Sequence, residues 1–144
     1  MFKKILVPTD GSELSEKAVA GAIDYAKNTG ATLIALGVSV LWEPYLYGDA
    51  WSANLPVIME ESKKLTSETL AAAARAFEAA GIPHETVFAV DEHPWRVILE
   101  TAKQHGCDAI FMASHGRRGF DALVLGSETH KVLTHATLPV LVFR

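Results

Sequence analysis

The chain alternates short apolar runs with longer segments of helical period, and that alternation restricts it to one class of architecture. The runs are Ile5 to Val7, Leu33 to Val40, Glu85 to Val90, Ala109 to Ala113 and Val140 to Phe143. All but Glu85 to Val90 are continuously apolar, as strands buried on both faces of a parallel sheet are. Glu85 to Val90 is mixed in polarity, which suits an edge strand.

Helical segments lie between the runs. Ala18, Val19, Ala22, Ile23 and Ala26 share one face, with Ser12 placed as N-cap and Gly30 as terminator. Val57 to Ala80 carries Leu70, Ala73, Phe77 and Ala80 on one stripe and Glu60 four residues before Lys64, and Gly81 and Pro83 end it. Pro94 opens a third helix with Trp95, Ile98, Leu99 and Ala102, running out near Gly106, and a fourth runs from Ser127 to about His135, before Pro139.

This order predicts an α/β fold: a single open five-stranded parallel sheet, doubly wound, with helices on both faces. Right-handed crossovers with one reversal of direction give strand order 3-2-1-4-5, a Rossmann-like or flavodoxin-like arrangement. A length of 144 residues fits one domain spanning the whole chain, with no room left for a separate output domain. Two connections are long, Leu41 to Pro56 and Ser114 to Leu125. The first holds Trp42, Tyr45, Tyr47 and Trp51 and reads equally as a ligand lid, an interface or local packing over the second helix.

Thirteen Lys and Arg against 17 Asp and Glu give a net charge of −4, which argues against a general nucleic-acid binder or a basic membrane-surface protein. Ala31 to Trp42, the longest uncharged apolar stretch, falls short of the ~20 residues a membrane span needs. Met1 to Asp10 offers only Ile5, Leu6 and Val7 before Pro8, too little for a signal-peptide core. The lone Cys107 reads as a small buried hydrophobe. A cytoplasmic protein without nucleic-acid or membrane partners is the expectation.

In open parallel sheets, ligands bind beyond the carboxyl ends of the strands where strand order reverses, here between strands one and four. The segments leaving those strands are Pro8-Thr9-Asp10-Gly11-Ser12 and Ser114-His115-Gly116-Arg117-Arg118-Gly119. Gly116 and Gly119 permit close backbone approach, Arg117 and Arg118 add positive charge, and Gly126-Ser127 opens a helix whose N-terminus suits an anion, with the Ser127 and Thr129 hydroxyls as further donors. These features describe a phosphate cradle or, equally, a solvated glycine-rich loop with Ser127 as a plain N-cap. Asp10 suits a ribose hydroxyl or a helix cap, and Val38 lines the crevice or simply the core.

Sharper motifs are missing. There is no Gly-x-Gly-x-x-Gly after the first strand and no Gly-Lys-Ser/Thr, which disfavours a dinucleotide dehydrogenase and a P-loop NTPase. Met112 stands where a nucleophile elbow needs glycine, and the adjacent Ser114 and His115 are expected on opposite faces of an extended chain. His130 and His135, about 140° apart on a helix, do not make a metal pair.

Lys4-Ile5-Leu6-Val7-Pro8-Thr9-Asp10-Gly11-Ser12, Met112 through Gly119, and the ending Gly126-Ser127 through Leu138-Pro139-Val140-Leu141-Val142 together resemble the universal stress protein family along the whole chain. The pattern of its nucleotide-binding members is Gly, two residues, Gly, nine residues, Gly, then Ser or Thr. Gly116, Arg117 to Leu125 and Gly126-Ser127 match it, and Ala113 stands at the first glycine. The resemblance implies that Pro8, Thr9 and Asp10 border an adenosine, that Val38 contacts the adenine, that Met112, Ala113, Ser114, His115, Gly116, Arg117, Arg118 and Gly119 wrap ribose and phosphates, and that Gly126, Ser127, Glu128 and Thr129 hold the phosphates. An alanine at position 113 costs little if its φ is negative.

The implied cofactor is ATP, or AMP or ADP, with Mg²⁺ on the phosphates, in a stress-response regulator. The implied partner is a second copy joined through the last strand, and Val140 to Phe143, as an apolar edge, independently calls for pairing. The alternatives are a slow ATP hydrolase, for which the sequence positions no general base, and a dimeric interaction module indifferent to nucleotide.

Overall fold

The computed structural model describes residues 1–41, 48–117 and 125–144, with side chains for 1–41, 54–117 and 125–144. Among the described residues, nine elements follow in strict alternation: β1 (Lys4–Pro8), α1 (Glu13–Thr29), β2 (Thr32–Val40), α2 (Gly48–Ala79), β3 (His84–Asp91), α3 (Pro94–Gln104), β4 (Ala109–Ala113), α4 (Ser127–His135) and β5 (Val140–Phe143). The strands form one parallel sheet in the order β3-β2-β1-β4-β5, as expected from the apolar runs. Registers such as Leu6 beside Ile34 and Phe111 beside Leu141 bring all the strand ends to one edge.

The alternation of side chains along each strand sorts the core into two layers. Ile5, Val7, Leu33, Ala35 and Phe111 face α1 and α2, where Val19, Ala22, Leu70 and Phe77 cover them. Leu6, Ile34, Leu36, Ile110 and Met112 face α3 and α4, under Val97, Ile98, Ala102 and Val132. Outer strand β3 is largely half-buried or exposed, with Phe88 42% exposed, which explains its mixed polarity.

Local signals set the helix ends. The Ser12 hydroxyl accepts the Ser15 N–H, and Gly30, at φ 75°, closes α1 by donating to the Ala26 carbonyl. Pro94 occupies the first turn of α3, where a missing N–H costs nothing. Helix α2 departs from expectation by starting at Gly48 rather than Val57, so 48–56 is helical and not part of a loop. Pro56 sits inside it. A proline deprives only the carbonyl four residues earlier of its partner, here that of Ser52, and the helix continues past it. Lys63, not Lys64, pairs with Glu60, at 3.4 Å. Trp42, Tyr45 and Tyr47 lie outside the described residues. Among the described residues, no helix is long and apolar enough to cross a membrane.

Candidate functional site

The carboxyl ends of β1 and β4 are neighbours in the sheet, so the turns that leave them meet. At the β1 turn, the Thr9 N–H donates to the Leu36 carbonyl, and the buried Thr9 hydroxyl lies 3.2 Å from that of Ser15 in α1. Asp10 follows. Its Oδ1 accepts the Ser12 N–H at 2.9 Å and its Oδ2 the Arg117 N–H at 2.8 Å. The Arg117 Nε donates to the Asp10 carbonyl at 2.7 Å. Asp10 thus shapes the turn into α1 and clasps the turn beyond β4. Partial burial pushes the Asp10 pKa up, but hydrogen bonds from the Ser12 side chain and N–H, the Arg117 N–H and the Ser15 side chain outweigh it and leave the pKa below its ordinary value.

The clasp dictates glycine at 116, since an added Cβ would collide with Asp10 Oδ2. The Arg117 guanidinium lies over Gly11, with Nη2 2.7 Å from where a Cβ of Gly11 would stand, and Thr69 of α2 borders the same spot. Arg117 therefore spends its N–H and Nε on Asp10 rather than aiming the whole side chain at an anion. Neither Thr69 nor Ser15 carries a signal in the sequence that places it here.

The far side of the crevice is the start of α4. The Gly126 N–H donates to the Ser114 carbonyl at 2.7 Å, and a Cβ on Gly126 would stand 3.0 Å from both that oxygen and the His115 Cα. Glycine is thus the residue this approach admits, and as N-cap it brings no side-chain acceptor. The first intrahelical bond runs from the His130 N–H to the Gly126 carbonyl, so the N–H groups of Ser127, Glu128 and Thr129 have no partner within the helix. The Thr129 hydroxyl donates to the Ala113 carbonyl at 2.9 Å and anchors α4 to β4. Ser127 is exposed at the mouth.

Pro8, Val38 and Met112 all fall on the sheet face that carries α3 and α4: Val38 and Met112 belong to that layer, and Pro8 follows Leu6 at the strand period. Ala113 shares the opposite face with Phe111 by the same alternation and is 8% exposed. No non-glycine residue among those described has positive φ, so Ala113 sits in ordinary backbone.

Three side chains differ from expectation. Ser114 and His115 are neighbours, with Oγ 3.2 Å from Nδ1, because the chain bends after β4 instead of staying extended. Glu128 turns away from the cradle, and its Oε2 accepts the Trp95 N–H at 2.9 Å. Arg118 and Gly119 lie outside the described residues.

An open parallel α/β sheet with a glycine-bearing turn beyond β4, clasped to the β1 turn beside a glycine-capped helix, defines a small Rossmann-like class of protein. The family model described as the universal stress protein family matches residues 1–144. The chain is 36% identical to universal stress protein YxiE of Bacillus subtilis over 149 residues, covering all of both chains. It belongs to the universal stress protein family. Among solved structures, protein MJ0577 of Methanocaldococcus jannaschii superimposes with a TM-score of 0.79 at 29% identity, over 99% of this chain and 96% of that one. A universal stress protein from Archaeoglobus fulgidus, solved in complex with dAMP, shares the fold at TM-score 0.71 and 21% identity, over 99% and 98% of the two chains.

Proposed function

We propose that this chain binds an adenine nucleotide, ATP or its AMP and ADP relatives with Mg²⁺ on the phosphates, in the crevice between the β1 and β4 turns and the α4 N-terminus. In this reading, residues 1–144 form one domain that acts as a cytoplasmic, homodimeric regulator in a stress response. One observation carries it: the Asp10–Arg117 clasp closes the two turns directly beside a helix start whose cap is a glycine without an acceptor.

The residues fit the ligand. The N–H groups of Ser127 to Thr129, which have no partner within α4, and the positive end of that helix suit phosphate oxygens, with the exposed Ser127 hydroxyl as a further donor. The Asp10 carboxylate, held in place by the Ser12 and Arg117 N–H groups, is an acceptor at the mouth for a ribose hydroxyl. Pro8, Val38 and Met112 offer an apolar floor for a base. The Ala113 methyl, placed by alternation on the α1 and α2 face, leaves the α4 side of the crevice clear. The dAMP complex of the Archaeoglobus relative supports the reading, since the same fold holds an adenine nucleotide in that protein. Mg²⁺, when bound with the nucleotide, neutralises phosphate charge.

In this reading a second copy pairs along β5, supported by its place as an outer strand with Leu141 48% exposed. Thermal unfolding with and without ligand tests the site. At 100 times its Kd a ligand selective for the native state adds about 2.7 kcal/mol. A melting temperature unmoved by millimolar ATP, ADP and AMP, with and without Mg²⁺, overturns the proposal.

A further inference from the structure

We propose that Glu128 is a positioning residue for phosphate recognition, fixing the α4 N-terminus by capping the neighbouring helix α3; this rests on the nucleotide reading above. Glu128 occupies the second position of α4, in the turn whose N–H groups face the cradle, where a free carboxylate would repel a phosphate. Its side chain is committed elsewhere. Oε2 accepts the Trp95 N–H at 2.9 Å, and Oε1 lies 3.7 Å from Lys131 Nζ.

Helix α3 needs that acceptor. Its own cap residue, His93, makes no side-chain cap hydrogen bond, and Trp95 is its second residue, whose N–H an N-cap side chain ordinarily satisfies. Glu128 supplies the cap from another helix and sets its charge at the positive end of α3. Trp95 also holds the other end of α4, because its ring stacks on His135 with centroids 4.7 Å apart and planes 29° from parallel. One residue of α3 therefore braces α4 at its first turn and its last. The Thr129 bond to the Ala113 carbonyl ties α4 to the sheet, while the Glu128 bond sets its position along the neighbouring helix. Without the latter, α4 can pivot about Thr129, and the N–H groups of its first turn no longer converge on one point.

The test compares E128A with E128Q, whose amide oxygen still accepts the Trp95 N–H, by calorimetric titration with Mg-ATP and with adenosine, which has no phosphate to reach α4. We expect E128A to bind ATP about tenfold more weakly, the scale of one lost hydrogen bond, and adenosine within about twofold of wild type. E128Q stays within about threefold of wild type for ATP. The Trp95 backbone amide resonance moves in E128A and stays in E128Q. Should E128A fail to fold, E128M, which keeps the stem without an acceptor, takes its place.

ATP binding by E128A at or above wild-type strength overturns the proposal, since that is what removing a repelling charge alone would give. So does equal weakening in E128A and E128Q, or equal loss of ATP and adenosine. Wild-type protein that binds none of ATP, ADP and AMP overturns the site itself and this inference with it, and the wild-type titration separates that outcome from the others.

Discussion

Arg117 donates its N–H to the Asp10 carboxylate and its Nε to the Asp10 carbonyl, joining residues 107 positions apart in the chain across the mouth of the crevice. Two turns from different strands thereby act as one wall. Loosening either residue changes the shape the other presents to a ligand.

The first prediction concerns acid. Asp10 has a folded-state pKa below its ordinary value, so its ionised form stabilises the fold above the unfolded-state pKa, and that contribution is lost as pH falls through the folded one. D10N lacks the contribution at every pH. Denaturant unfolding should show wild type more stable than D10N at neutral pH, with the gap closing below the ordinary carboxylate range. A gap that stays unchanged as pH falls through and below that range contradicts the role given to the carboxylate.

Gly116→Ala forces a Cβ against Asp10 Oδ2. The clasp must open to admit it. The variant should remain folded, with a stability loss of about 1.5–3 kcal/mol in line with a lost charged hydrogen bond, and should show no ATP-induced rise in melting temperature. An undiminished rise would mean that the clasp does not shape the site.

Ala113→Gly tests the departure from the family pattern. With ordinary φ at Ala113 and its methyl on the α1 and α2 face, glycine brings no relief and costs about 0.5–1 kcal/mol of stability through backbone entropy. Nucleotide affinity should stay within about twofold of wild type by titration calorimetry. A tenfold gain would show that the methyl obstructs the ligand.

Leu141→Arg places a charge on the exposed side of β5. Sedimentation velocity should find wild type dimeric and the variant monomeric at the same concentration, because an edge charge opposes strand pairing. A variant that sediments like wild type moves the interface elsewhere.

Much of the scaffold was legible because its signals are local or periodic. Ser12 and Gly30 bound α1 through groups a few residues away, and the strands β1, β2, β4 and β5 announce themselves as unbroken apolar runs. The start of α2 was not, because Pro56 carries a breaker's signature that the helix tolerates. Within the candidate site, the glycines at 116 and 126 could be read as points of close approach, but not what approaches them. Asp10 against Gly116, Thr69 near Gly11 and Glu128 on the Trp95 N–H, 33 residues away, are products of tertiary packing that no spacing encodes. Ser114 and His115 escape the strand pattern for a related reason: alternation holds only while the chain stays in the strand, and β4 ends at Ala113.

The Ser114 N–H donates to the carbonyl of Phe143, the last residue of β5, at 2.8 Å. The first residue of the proposed nucleotide turn and the last of the proposed dimer strand thus share one hydrogen bond, and the ring of Phe143 rests on Gly21 of α1. A nucleotide that shifts this bond would link the two proposed equilibria, and linkage is reciprocal. Whatever factor nucleotide then contributed to association, association would return to nucleotide affinity, and protein concentration itself would become an effector: diluting the protein until it dissociates would alter its affinity for the proposed nucleotide by that same factor.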